Sequence, residues 1–192
     1  MKHPDFLHAY REAGVISRDD ITAAALLVEM ARRDAAAEPE RLTWLGMCLA
    51  LRTVRDGHTC VDFDQIKSWA GEIELESETH LHWPTDAEPW IAGLKAATTL
   101  VGKPGDRKPF ILDGRRLYLA RSHAEEVTIA TAILARAVAG TISILLGGPG
   151  TGKTTKVAQD LVKRFQQDEA SGKTTAVALA APTGKAAARM AE

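Results

Sequence analysis

The chain has 192 residues, is 45% hydrophobic and 26% charged, and carries a formal net charge of −1. This is globular composition with room for one domain and the start of a second, and it excludes a protein that binds nucleic acid through an overall basic field. No run approaches the roughly 18 apolar residues of a membrane span, the opening MKHPDFLHAYREAG has no apolar signal core, and two cysteines, Cys48 and Cys60, are too few for a disulfide framework, so free thiols in a cytoplasmic protein are expected.

In chain order, the first segments read as helices. Asp19–Ala37 opens on aspartates suited to a helix N-terminus and spaces Ile21, Ala25, Val28 and Arg32 on one stripe, widened by Ala24, Leu27 and Ala31. Pro39–Gly57 sets Leu42, Leu45, Leu49 and Arg52 on a second stripe beside Met47, Leu51 and Val54, with Gly57 as its stop. HTCVDFDQI reads as a short extended piece, and QIKSWAG as a short helix with Asp64 as its cap. The polar, proline-containing SETHLHWPTDAEP is a loop. Glu88–Leu100 is a helix with Ile91, Leu94 and Thr98 in register, and Gly102–Pro109 a second loop. Phe110–Ala120 predicts a β-hairpin turning at Asp113-Gly114, and Glu125–Gly140 predicts another helix ending at glycine.

The pattern then changes to strand, loop, helix, strand. TISILL reads as a buried strand. KTTKVAQDLVKRFQQ reads as a helix with Val157, Leu161 and Phe165 four apart, DEASGK as a loop, and Thr174–Ala181 as a second, parallel strand. The expected fold class is α/β. A mostly helical N-terminal domain with a β-hairpin (1–122) and a connecting helix (123–140) precede the start of a P-loop, RecA-like parallel-sheet domain (141–192).

Gly147, Gly152, Lys153 and Thr154 satisfy G-x-x-x-x-G-K-[ST] between an expected strand and an expected helix. The glycines let backbone N–H groups turn inward on phosphate oxygens, and the helix N-terminus adds partial positive charge. The predicted nucleotide site is therefore Gly147, Gly148, Pro149, Gly150, Thr151, Gly152, Lys153, Thr154 and Thr155. Lys153 reaches toward the β- and γ-phosphates of ATP, and the Thr154 hydroxyl toward Mg²⁺. The plainer alternative is a glycine-rich turn without a ligand. The acidic pair after the loop, Asp168-Glu169, falls where a helix gives way to a turn and is expected to be solvated. Nothing downstream resembles an acidic residue ending an apolar strand, so triphosphate binding is expected and hydrolysis is not.

GGPGTGKTT followed by LAAPTGKAAARM resembles the first two motifs of the superfamily 1 DNA helicases, most closely the RecD family, the alpha subunit of exodeoxyribonuclease V. AYREAGVI, CLALRTVRDGHTCVDF and DGRRLYLAR are similar to its N-terminal region in kind and order. The resemblance implies an ATP-driven 5′→3′ DNA helicase in double-strand break repair, working with a helicase–nuclease chain and a DNA-recognising chain. It also implies that Pro182, Thr183, Gly184 and Lys185 touch the backbone of single-stranded DNA; read alone, APTGK is a strand-to-helix turn capped by Thr183. Such helicases carry a glutamine segment for adenine ahead of the loop, whereas no glutamine stands between Gln65 and Gln159 here. The chain is expected to represent the front third of such a helicase, shortened inside.

Weaker features weigh toward structure. His80-x-His82 beside Trp83 lacks further metal ligands. Asp62 and Asp64 suit an extended acidic edge and a cap, Trp44, Trp69 and Trp90 suit a core or a partner contact, and GDRK and GRR suit solvated turns. Two other readings stay open: a catalytically inactive partner-binding module, and a small P-loop kinase, which needs more chain for an acceptor lid.

Overall fold

The computed structural model describes residues 3–33, 37–69, 81–84, 86–148, 150–174, 176–178 and 180. The chain forms two compact units, residues 1–135 and 136–192.

The first unit is built around one helix. Helices α1 (Leu7–Glu12), α2 (Arg18–Arg32) and α3 (Arg41–Arg55) come first. In α2 five residues of the predicted stripe are buried, Ile21, Ala24, Ala25, Val28 and Ala31, whereas Leu27 is half-buried and Arg32 is exposed, paired with Glu29 and Glu38. The expectation of a start capped by aspartate is corrected: Ser17 is the cap. Its hydroxyl accepts the Asp20 N–H at 3.2 Å while the Asp20 carboxylate accepts the Ser17 N–H at 2.8 Å. The two residues thereby satisfy two of the orphan donors that any helix N-terminus leaves. Asp20 is buried and also takes Arg55 at 2.6 Å, fastening the start of α2 to the end of α3. The helix stops at Arg32, short of Ala37, and Ala37 itself is not helical.

Helix α3 departs from a one-sided stripe, because every residue from Thr43 to Ala50 is buried. It touches α2, the first strand, the last strand of the sheet and the helix Glu88–Ala96, here α4. A helix walled on all sides needs apolar or small residues all round, and Trp44-Leu45-Gly46-Met47-Cys48-Leu49-Ala50 supplies them. Only its ends, with Val54 exposed, keep an outward face. Burial pushes the Cys48 thiol up to about 12 and makes it inert, as the expectation of a buried thiol required; Cys60 is only partly buried.

The sheet has four strands, β1 (Cys60–Asp62), β2 (Val101–Gly102), β3 (Phe110–Asp113) and β4 (Arg116–Leu119), in the order β1-β4-β3-β2. The β3–β4 hairpin is the predicted one, with Asp113 paired to Arg116. Its turn is therefore Gly114-Arg115 rather than Asp113-Gly114, with Gly114 at φ 59°. Strand β2, parallel to β3, was not expected. Helix α4 ends at Ala96 instead of Leu100, because the N–H groups of Leu100 and Val101 both turn back onto the Ala97 carbonyl and feed the chain into β2.

Residues 66–69 form the expected short helix, but Asp64 is not its cap. The Asp62 carboxylate accepts the Asp64 N–H at 3.1 Å, and the Asp64 carboxylate pairs with Arg115 at 2.6 Å. Arg115 also pairs with Glu88, and Arg116 with Asp62, so the GRR arginines hold the hairpin to its neighbours. Aromatic rings close the remaining side. Phe63 stacks on Trp90 at 5.2 Å and Trp83 on Trp90 at 6.5 Å, while Tyr10 and Trp69 meet Trp83 edge-on. His82 is exposed and offers its carbonyl to the Tyr10 hydroxyl; His80 lies outside the described residues. No group of three or more His, Cys, Asp or Glu that could hold a metal occurs among the described residues.

Helix α5 (Ala120–Val138) follows the hairpin directly and begins before the predicted Glu125. His123 is its buried residue, against Tyr118 and 3.4 Å from the Asp113 carboxylate.

In the second unit, helix α6 (Lys153–Ala170) is the predicted helix, extended through Asp168-Glu169. Asp168 is therefore not a solvated loop residue; it is buried and pairs with Arg164 at 3.1 Å. The two predicted strands are not formed among the described residues. Residues 142–148 lie in neither helix nor strand, with Leu146 87% exposed, and the same holds for 174, 176–178 and 180. A strand exists only where a neighbour takes its N–H and C=O groups, and neither stretch has such a ladder. Among the described residues no helix is long and apolar enough to cross a membrane.

Two stability measurements check this account. Ser17→Ala removes the reciprocal cap and is expected to lower unfolding free energy in urea by about 1 kcal/mol, with Asp20→Ala costing more because Arg55 also loses its partner. Gly93 lies where an added Cβ would stand 2.9 Å from Thr43 Oγ1. Gly93→Ala is therefore expected to destabilise despite its gain in helix propensity, and to become neutral or stabilising in a Thr43→Ala background.

Candidate phosphate-loop site

The glycine loop gets its shape from backbone that other residues resist. Gly150 has φ 75° and Gly152 φ 76°, left-handed values that cost an L-residue about 1–2 kcal/mol. Gly152 is also the N-cap of α6, so no side chain caps that helix, and no acidic residue stands in its first turn. The first N–H groups of α6 are thus left for an anion, and the helix dipole favours one there. The loop folds on itself: the Thr151 hydroxyl donates to the Gly148 carbonyl at 2.9 Å, and a Cβ on Gly147 would come 2.6 Å from Thr151 Oγ1. Lys153 bends back over the loop and donates from Nζ to the carbonyls of Gly147 and Gly148. Thr154 and Thr155 are exposed at the helix start. Lys156, one turn on, pairs with Asp160 at 3.0 Å.

The structure therefore brings Gly147, Gly148, Gly150, Thr151, Gly152, Lys153, Thr154 and Thr155 into one loop and helix start. Pro149 lies outside the described residues, as do Pro182, Thr183, Gly184 and Lys185. The arrangement fits a polyphosphate: no side chain caps the first turn of α6, Lys153 lies over the loop and no acidic residue stands in that turn. The sequence did not disclose that Lys153 has the loop carbonyls as its partners, nor that Thr151 closes the turn; the threonine three residues after Gly148 was the available signal.

A cavity of about 510 Å³ lies within the first unit, lined by Arg52, Cys60, Asp62, Trp69, Arg116 and Tyr118 among others. Its two arginines are paired. Arg52 pairs with Asp56 at 2.7 Å and lies 5.1 Å over Trp69, and Arg116 pairs with Asp62 at 3.1 Å. Burial, with Cys60 and Glu126 nearby, pushes the Tyr118 phenol up to about 12, so it stays neutral.

A helical unit on a small mixed sheet is followed by a glycine-loop segment that belongs to a second domain class, for residues 130–192 match the AAA domain model. Residues 12–118 match the model of the RecBCD enzyme subunit RecD, N-terminal domain. The chain belongs to the RecD family. Among curated relatives, the RecBCD enzyme subunit RecD of Mycobacterium tuberculosis (strain CDC 1551 / Oshkosh) is 33% identical over 216 residues, covering 97% of this chain and 35% of the relative. That of Mycolicibacterium smegmatis (strain ATCC 700084 / mc(2)155) is 38% identical over 187 residues, covering 82% of this chain and 32% of the relative. The chain thus spans about a third of the length of the relatives it matches.

Gly152→Ala tests the loop without a ligand. Faster amide hydrogen exchange is expected at residues 153–156, as the strained cap loosens the first turn of α6, with the unfolding of residues 1–135 unchanged.

Proposed function

We propose that this chain binds ATP at Gly147–Thr155 and serves in an exodeoxyribonuclease V-type DNA helicase complex of break repair and recombination. The carrying observation is the loop itself: two left-handed glycines, an uncapped helix start and Lys153 bent over both. The loop and α6 N–H groups and Lys153 would hold the phosphates, and the Thr154 hydroxyl would face Mg²⁺, which neutralises phosphate charge when bound. Residues 1–122 are the partner-docking domain in this reading, 123–140 the connecting helix and 141–192 the motor segment. The partners are the helicase–nuclease chain, the DNA-recognising chain and single-stranded DNA, the last met by Pro182, Thr183, Gly184 and Lys185. The 5′→3′ direction and the cytoplasmic setting rest on family membership.

A second reading, partner docking without turnover, is favoured by one observation. Of the three carboxylates of α6, Asp160 pairs with Lys156, Asp168 pairs with Arg164, and Glu169 stands in the last turn of the helix. None of them ends an apolar strand, the position a metal-holding carboxylate requires for hydrolysis.

These readings meet in one assay. With saturating single-stranded DNA, ATP turnover by the purified chain is expected to equal that of Lys153→Ala, while ATP binding, measured by calorimetry, is weakened about ten-fold or more by the same substitution, as loss of a charge-assisted contact implies. Turnover clearly above the Lys153→Ala control would show that this chain hydrolyses ATP unaided.

A further inference from the structure

We propose that the loop between β2 and β3, residues 103–109, docks the first unit on the phosphate backbone of duplex DNA. It belongs to a different unit from the Pro182–Lys185 contact proposed above and does not depend on it.

The loop and its entry read GKPGDRKP, with three cations, Lys103, Arg107 and Lys108, against one carboxylate, Asp106. Its shape is fixed from within. The Asp106 carboxylate accepts the Lys103 N–H at 2.8 Å, and the Asp106 N–H donates back to the Lys103 carbonyl at 3.0 Å. The loop also closes down on Gly102: a Cβ there would stand 2.7 Å from Asp106 Cβ and 2.8 Å from Lys108 Cγ. Both ends are anchored. The Phe110 N–H donates to the Leu100 carbonyl at 3.1 Å, and the Ala120 N–H to the Pro109 carbonyl at 2.9 Å. A loop tied in this way holds its charges in place before a partner arrives, which lowers the ordering cost of binding.

The fold does not use these charges. Elsewhere in the first unit arginines pair within the molecule: Arg55 with Asp20, Arg116 with Asp62, and Arg121, at the foot of the loop, with Glu125. Among the described residues the side chains of Lys103, Arg107 and Lys108 enter no ion pair or hydrogen bond, and Lys103 and Arg107 are exposed. Strand β2 is an edge strand, and a lysine beside it discourages pairing with another chain. Lys103 alone would serve that end; Arg107 and Lys108 stand beyond it.

The chemistry of the loop selects the partner. Contacts between proteins are depleted in lysine and centred on aromatic or apolar anchors. Here two of the three cations are lysines, and among the described residues no large hydrophobic side chain between Val54 and Val127 is exposed. Phosphates, by contrast, are met by Lys and Arg without any apolar anchor or base contact. A duplex presents its charges as a fixed row, which suits a fixed loop, whereas affinity for a flexible single strand comes largely from stacking rings.

The test is fluorescence anisotropy of the whole chain with a fluorescein-labelled duplex of about 20 base pairs, between about 50 and 200 mM salt. The comparison is the triple variant Lys103→Gln, Arg107→Gln, Lys108→Gln, which removes charge and keeps the Lys108 stem over Gly102; an unchanged midpoint of urea unfolding confirms its fold. The triple variant is expected to bind about ten-fold or more weakly at the lower salt, and to lose about 2.7 from the slope of log affinity against log salt, roughly 0.9 per phosphate contact. The charge-keeping variant Lys103→Arg, Arg107→Lys, Lys108→Arg is expected to retain both. No duplex binding by the wild type at about 50 mM salt, or an affinity and slope untouched in the triple variant, overturns the inference. Tighter binding of a single strand of equal length overturns the choice of duplex. Tighter binding of polyglutamate at equal charge overturns the inference in favour of an acidic protein surface. Duplex binding lost with Lys185→Gln and kept in the triple variant also overturns it, leaving Pro182–Lys185 as the DNA contact. ATP binding is expected to be equal in the wild type and the triple variant, so failure here leaves the phosphate-loop reading standing.

Discussion

The first unit depends on the burial of α3 on every side. A helix of this kind cannot be held by one partner. It needs α2, α4, β1 and β4 around it at once. Gly46 marks the point of convergence: a Cβ there would meet Leu94 of α4, Leu117 of β4 and Phe63 after β1, all between 3.6 and 3.7 Å. Removing any one of these walls exposes apolar surface on the helix that all the others use, so the unit is cooperative by construction.

The elements that could be read from the sequence are those whose side chains repeat with a helix or strand period. The stripe of α2 and the hairpin around Gly114 were of that type. What escaped was decided by partners far away in the chain. The true extent of burial in α3 depends on walls built largely by residues that follow it, and β2 exists because Val101 and Gly102 pair with Phe110 and Ile111, nine residues on, across a loop held by Asp106. Caps were misplaced for a related reason. Asp19 and Asp64 have cap chemistry, but at α2 it is Ser17 whose oxygen meets a free N–H, and the Asp64 carboxylate turns instead to Arg115.

The shape of the glycine loop was legible in the sequence, because it lies in glycine torsions and in a lysine at fixed spacing, which sequence encodes directly. The flanking strands were not, because a strand is a relation between two segments. Ile144, Leu145 and Leu146 have the composition of a buried strand and yet stand in the open here. The two units thus differ in kind. In the first, side chains far apart in sequence satisfy one another; in the second, the described hydrogen bonds and ion pairs join residues within a few positions of each other, such as Lys153 with Gly147 and Arg164 with Asp168.

That difference has an optical counterpart in the placement of tryptophan. All four indoles, Trp44, Trp69, Trp83 and Trp90, belong to the first unit, three of them in one cluster of neighbouring rings. Intrinsic tryptophan emission therefore originates entirely in residues 1–135. The first unit carries its own optical reporter, whereas the loop and α6 have no indole of their own and need an added label to be followed.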